Sequence, residues 1–274
     1  MLNFWRHDDF QISDDNLDDC VAAYVEHLYH EGDSYSMASD TLAAVQHYYQ
    51  RSIGKLKFSW KLCGIWKRGE PPKRVLPLLP LNVLALAGLA IDLQRLDLAA
   101  LILIGFDGML RTGELFNMRA FHIRFAKKKA FISLEYSKSG KRKGAEECVV
   151  IDSQLSVAVL RSLLATTQPT AFLRSTSPQQ CRLMFKQMLE FFQLDLGRYN
   201  WYSLRRGGAT AFFTRTASME QTLIRGRWES ATTARIYIQE ATAQSCDASF
   251  TPTQVDLFKA SAHRLRDFVA TSDA

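Results

Sequence analysis

Four short stretches of this chain hold charged and phenolic side chains at spacings suited to work on an anion. In "YSLRRGGATAFF", residues 202 to 213, Arg205 and Arg206 precede a glycine pair and a run of small and aromatic residues with helical character. An arginine keeps its charge at physiological pH, so on a helix bound for the interior it needs a carboxylate or receives an anion with a ligand. "MLRTGEL" places Arg111 three residues before Glu114, close enough on a helix to be held by it. "EYSKSGKRKG" sets Lys138, Lys141, Arg142 and Lys143 in a lysine-rich loop, and "GRWESATTARIY" puts Trp228 nine residues before Tyr237. Taken singly, each has an ordinary reading as a surface ion pair, a set of solvated lysines or a packed core tyrosine.

Other chemistries find little support. His27 and His30 lie three apart on one helix and His47 on the next, but no cysteine or carboxylate cluster completes a metal-ligand set. There is no GxGxxG, no P-loop and no GxSxG, so nucleotide-dependent and acyl-transfer reactions have no foothold. No metal and no organic cofactor are expected.

The order Arg111, Lys138, Arg205, Trp228, Tyr237 resembles the tyrosine recombinase/integrase family, whose Cre-type, Xer-type and phage integrase-like members break and rejoin DNA. The 23 residues from Arg205 to Trp228 and the nine from Trp228 to Tyr237 look like the Cre arrangement, and the resemblance covers roughly residues 80 to 245. Two positions depart from it: Tyr202 and Arg206 stand where the family usually has histidine.

The resemblance implies strand cleavage and rejoining through a covalent 3′-phosphotyrosine on Tyr237. Arg111 and Arg205 then neutralise the non-bridging phosphate oxygens, for which planar forks of permanent donors are well suited. Lys138 protonates the departing 5′ oxygen, with Lys141 or Lys143 as substitutes, and Trp228 donates its indole N–H. A phenol at position 202 is a poor base near neutral pH. Arg206 adds phosphate affinity or faces a carboxylate. Two other outcomes share the fold: a non-catalytic DNA-binding descendant and a type IB topoisomerase-like enzyme.

The elements that must position these residues are mainly helical. Leu17, Val21, Val25 and Leu28 share a helical face, a second helix begins at Ser36, and residues 57 to 68 make a third. These form a short core-binding-like domain over residues 1–70. The proline-rich stretch 71–80 is read as a linker and residues 81–274 as the catalytic domain. That domain reads as helices at 81–95 and 97–106, then strands at 121–125, 130–135 and 147–151 forming a small antiparallel sheet. Helices resume after Ser153 and after Ser177-Pro178, and continue at 203–213, 219–226, 231–241 and 252–269. Ser218 with Gln221 has capping-box spacing, and Pro252 suits a helix start. The amphipathic helix at 252–269 suggests a homo-oligomer on DNA, dimer or tetramer, by docking on a neighbouring protomer, or else a helix folded back on its own core.

Charge is segregated along the chain. Residues 1 to 50 carry ten acidic residues and one basic, whereas residues 51 to 74 carry eight basic and one acidic. Lys55, Lys57, Lys61, Lys67 and Arg68, interleaved with Phe58, Trp60 and Trp66, suit a DNA backbone, and Lys141, Arg142 and Arg206 join them as expected contacts to double-stranded DNA. The N-terminus lacks signal-peptide character, and Asp92, Arg95, Asp97 and Asp107 interrupt the apolar region 81–110, which argues against a membrane span. Five scattered cysteines without a CxxC pair fit a reducing compartment. The expected location is therefore intracellular, with DNA: nucleus in a eukaryote, nucleoid in a bacterium.

Overall fold

A computed structural model of the chain describes residues 12–70, 74–134 and 147–272. The chain divides into two compact units, Met1–Lys73 and Arg74–Ala274.

In the first unit, helices α1 (Leu17–His30), α2 (Tyr35–Tyr48) and α3 (Lys57–Gly69) close on one core. Leu17, Val21, Val25 and Leu28 of α1 meet Ala38 and Leu42 of α2 and Leu56, Cys63 and Trp66 at α3. The start of α3 has no side-chain cap of its own. Asp18 on α1 supplies it, accepting the N–H groups of Phe58 (2.8 Å) and Ser59 (2.9 Å) and the Ser59 hydroxyl (2.6 Å). Burial pushes the Asp18 carboxyl up, but these hydrogen bonds outweigh it and hold the group below its usual range.

The second unit begins with helices α4 (Pro80–Asp92) and α5 (Leu96–Asp107), whose nearly unbroken apolar sequences place them inside. A short helix α6 (Thr112–Phe116) leads to strands β1 (Ile123–Ala126), β2 (Lys129–Leu134) and β3 (Glu147–Ile151). They form an antiparallel sheet in the order β1-β2-β3, with Ile132 opposite Ile123 on one side and Val149 on the other. Alternate residues Ala130, Ile132, Val149 and Ile151 face the core, the period-two pattern read from the sequence.

Helices α7 (Gln154–Leu164), α8 (Pro178–Phe191), α9 (Tyr202–Thr216), α10 (Met219–Gly226), α11 (Ala231–Arg235), α12 (Glu240–Ser249) and α13 (Pro252–Ser272) complete it. The starts of α10 and α13 follow the capping logic of the sequence. Ser218 Oγ accepts the Gln221 N–H, and Thr251 and Gln254 exchange reciprocal bonds at the head of α13. One expectation fails. Residues 231 to 241 do not form a continuous helix: α11 stops at Arg235, and Ile236 and Tyr237 turn before α12 begins.

Two close approaches fix the interior. A Cβ on Gly207 would lie 2.0 Å from the Leu78 carbonyl oxygen, and one on Gly208 would lie 2.0 Å from that of Phe106. The glycine pair of α9 thus lets the extended segment before α4 and the end of α5 touch its backbone. Gly88 on α4 meets the Ser261 carbonyl of α13 in the same way. Phe258, Ala262 and Leu265 of α13 are buried, so this helix folds back on its own unit. No helix among the described residues is long and apolar enough to cross a membrane.

Backbone oxygen cannot swing aside as a side chain can. Gly207→Ala should therefore lower the urea midpoint by the equivalent of roughly 1–3 kcal/mol or more. Gly113→Ala, with nothing within 4 Å of the added methyl, should leave it unchanged or slightly raised.

Candidate active site

Arg205 lies on α9 with 0% of its surface exposed. Its terminal nitrogens donate to two carbonyl oxygens, Met109 after α5 and Gly226 at the end of α10 (2.8 Å for the latter), and its Nε has no partner. The guanidinium carbon sits 4.8 Å from the Trp228 ring centroid and 5.3 Å from that of Tyr237. No carboxylate among the described residues pairs with it. Burial, then the neighbouring charges of Arg227 and Arg111, push its pKa down to about 10. It remains a cation at neutral pH, inside the unit, without a counter-ion of its own.

Arg111 is held beside it. Its position immediately before α6 lets Glu114 fold back: one carboxylate oxygen accepts the Arg111 N–H (2.8 Å) and the other its Nη1 (2.7 Å). Glu114 also accepts Nη2 of Arg227 at 2.7 Å, and Nε of Arg227 lies 3.3 Å from the Glu147 carboxylate at the start of β3. Two guanidinium groups thus face two carboxylates. Sequence reasoning missed Arg227, whose neighbour Trp228 carried the recognised spacing; only its place directly after Gly226 hints at the turn. Arg227 adopts φ 58°, and the Trp228 ring fills the space a side chain at 226 would need.

Tyr237 is half-buried on the turn between α11 and α12. Its ring packs on Trp228, with centroids 4.7 Å apart and planes at 36°. Its hydroxyl is not sealed in apolar packing: it accepts a hydrogen bond from the hydroxyl of Tyr202, which opens α9 and is 38% exposed. Burial, followed by this hydrogen bond to Tyr237, pushes the Tyr202 phenol up to about 12. Tyr202 therefore holds its proton and serves as a donor, not a base.

Arg205, Tyr202, Trp228 and Tyr237 come together, and Arg111 lies close enough for its charge to act on Arg205. Lys138, Lys141, Arg142 and Lys143 lie outside the described residues. Arg206 is a correction. Expected on DNA, it is 2% exposed, and its terminal nitrogens are engaged by the carbonyls of Val75 and Ile236. In the first unit, Lys55, Lys57, Lys61, Lys67 and Arg68 are all exposed, as are Phe58 and Trp60, whereas Trp66 is buried and bonds Glu70 at 2.9 Å. The apolar face of the last helix, which the sequence also offered to a neighbouring protomer, lies on α4 of the same chain. Among the described residues, His, Cys, Asp and Glu form no group able to hold a metal ion.

No protein-family model and no curated protein sequence matches the chain. Solved structures match its fold. A fragment of the Tn1549 transposon integrase in complex with circular intermediate DNA is similar at 14% identity, with 90% of this chain and 89% of that chain covered and a TM-score of 0.64. A lambda integrase dimer bound to a COC′ core site is similar at 13% identity, covering 87% and 86%, with a TM-score of 0.58. A XerH recombinase chain matches at a TM-score of 0.49, and this chain spans 56% of its length. The chain has the tyrosine recombinase/integrase fold, mainly helical with a small antiparallel sheet.

Because the folded state keeps the Tyr202 proton where an unfolded phenol with pKa 10.0 has lost it, this contribution to stability is complete below about pH 10 and is lost as pH rises towards about 12. Tyr202→Phe should flatten the alkaline fall of the urea midpoint across that window. An unchanged alkaline slope would mean that this phenol titrates as an ordinary exposed one.

Proposed function

We propose that the protein cleaves and rejoins DNA strands through a 3′-phosphotyrosine on Tyr237. The observation that carries this reading is Arg205: a buried guanidinium, opposed by no carboxylate among the described residues, lies over the ring of a tyrosine whose hydroxyl is free of apolar packing. A scissile phosphodiester supplies the missing negative charge. Arg205 and Arg111 take the non-bridging oxygens, where charge builds at the transition state. The Tyr237 oxygen forms the new bond to phosphorus and loses its proton to water, and the bond to the 5′ oxygen breaks. Lys138 gives that oxygen its proton, and the indole N–H of Trp228 adds a donor. The bond energy stays in the covalent intermediate, so religation needs no ATP.

Charge supports the macromolecular half of the reading. The exposed cations of α3, with Phe58 and Trp60 among them, form a face suited to a duplex backbone. The solved structures most useful for comparison are of DNA complexes. Recombination requires cuts in two duplexes, so the proposal includes a homo-oligomer on DNA, though not through the apolar face of α13, which α4 already covers. It also places the protein inside the cell with its DNA.

A library of nicked duplexes with randomised sequence tests this by trapping the cleaved end. Wild-type protein should give a covalent adduct on a denaturing gel, and Tyr237→Phe none. Arg205→Lys, which keeps charge but loses the fork, should reduce the adduct by about 10²-fold or more. Tight salt-dependent binding without any adduct would make the protein a binding descendant of the fold. Relaxation of supercoiled plasmid by a monomer would make it topoisomerase-like.

A further inference from the structure

The turn that carries Tyr237 is only four residues long, from Ile236 to Gln239, between α11 and α12. Such a segment lacks the i to i−4 ladder on its C-terminal side, so its carbonyls need other partners. They find them on α9. Arg206 donates one terminal nitrogen to the Ile236 carbonyl. Thr210, one turn further along the same helix face, has its hydroxyl 3.2 Å from the Tyr237 carbonyl and 2.9 Å from that of Arg206, and accepts the Gln239 N–H at 3.1 Å. The other terminal nitrogen of Arg206 reaches the Val75 carbonyl at 2.5 Å. Val75 opens the extended segment whose amides at Leu76 and Leu78 bond the carbonyls of Arg198 (2.7 Å) and Ser203 (3.2 Å).

We propose that Arg206 is a positioning residue, which with Thr210 pins the backbone on both sides of Tyr237 to α9 and to the segment at Val75, and so holds the nucleophile in register with Arg205. This rests on the reading of Tyr237 as the nucleophile. The two adjacent arginines have separate tasks: Arg205 faces the phenol ring and awaits the phosphate, and Arg206 faces the backbone that carries that phenol. A guanidinium fork spans two carbonyls on different segments; a lysine ammonium in the same place would be a single point of attachment. The arrangement leaves a buried cation with no carboxylate among the described residues and an Nε without a partner. A position serving packing alone is better filled by an apolar side chain.

Two measurements test it on the full chain, comparing wild type with Arg206→Gln, Arg206→Lys and Thr210→Val. The first needs no catalysis: amide hydrogen exchange of peptides covering residues 234 to 240. Arg206→Gln and Thr210→Val should speed exchange there by about tenfold or more, the first removing the contact to the Ile236 carbonyl and the second those to the Tyr237 carbonyl and the Gln239 N–H. The second is single-turnover cleavage and affinity on a duplex selected from the nicked library. Cleavage should fall about 10²-fold in Arg206→Gln, as for a reacting group displaced by an ångström, with Arg206→Lys between it and wild type. Affinity and its salt dependence should not change.

A drop of about one in the salt slope for Arg206→Gln would identify Arg206 as a phosphate contact and overturn the proposal. Unchanged exchange at 234 to 240 would overturn it as well, as would normal cleavage in a folded Arg206→Gln. Should Arg206→Gln not fold, Thr210→Val carries both measurements. If wild type forms no adduct on any duplex, the nucleophile reading falls while faster exchange in the variants still upholds the tether.

Discussion

Arg205 sits inside the second unit with no carboxylate among the described residues paired to it, its terminal nitrogens donating to the carbonyl oxygens of Met109 and Gly226, and the construction around it answers that buried charge. Those carbonyls must arrive from two directions, after α5 and at the end of α10. The first arrives where Gly208 lets the α9 backbone touch the end of α5, and the second where α10 ends at Gly226. Glu114 is close by, yet it does not neutralise Arg205, being shared by Arg111 and Arg227. Its two oxygens already accept the Arg111 N–H, the Arg111 Nη1 and the Arg227 Nη2. Among the described residues no carboxylate pairs with Arg205, which lies over the aromatic pair of Trp228 and Tyr237.

Much of this was legible in the sequence, for identifiable reasons. Alternation in 130 to 134 and 147 to 151 gives the sheet, and side-chain oxygens at Ser218 and Thr251 mark helix starts whose cap bonds are made. The spacing from Arg205 through Trp228 to Tyr237 brings those three residues together. What escaped depends on tertiary partners. Residues 231 to 241 read as one helix, yet the chain turns at Ile236, where Arg206 and Thr210 donate to the carbonyls of Ile236 and Tyr237. Arg206 read as a ligand contact because charge implies exposure on average, and here the average fails. Arg227 was hidden by the same rule: a left-handed backbone after glycine points it into the unit, where two carboxylates meet it.

Tyr202 shows how one exchanged side chain redistributes roles. An imidazole at this position would bring a group that titrates near neutral pH. The phenol keeps its proton throughout that range, so it offers the neighbouring hydroxyl a donor and no relay. Arg205 over the Tyr237 ring and Arg206 on the neighbouring carbonyl are fixed charges, whatever the pH of that range.

The meeting of Gly88 with Ser261 joins the first helix of the second unit to α13 at backbone distance. A ribosome-bound chain that has released Tyr237 but not yet Leu265 would hold Arg111, Arg205, Trp228 and Tyr237 while α4 still lacked its outer wall. Closure between segments so far apart in sequence is entropically costly, and during synthesis it must wait until α13 has been made. The last helix to be made is therefore the one that completes the wall of the first helix of its unit.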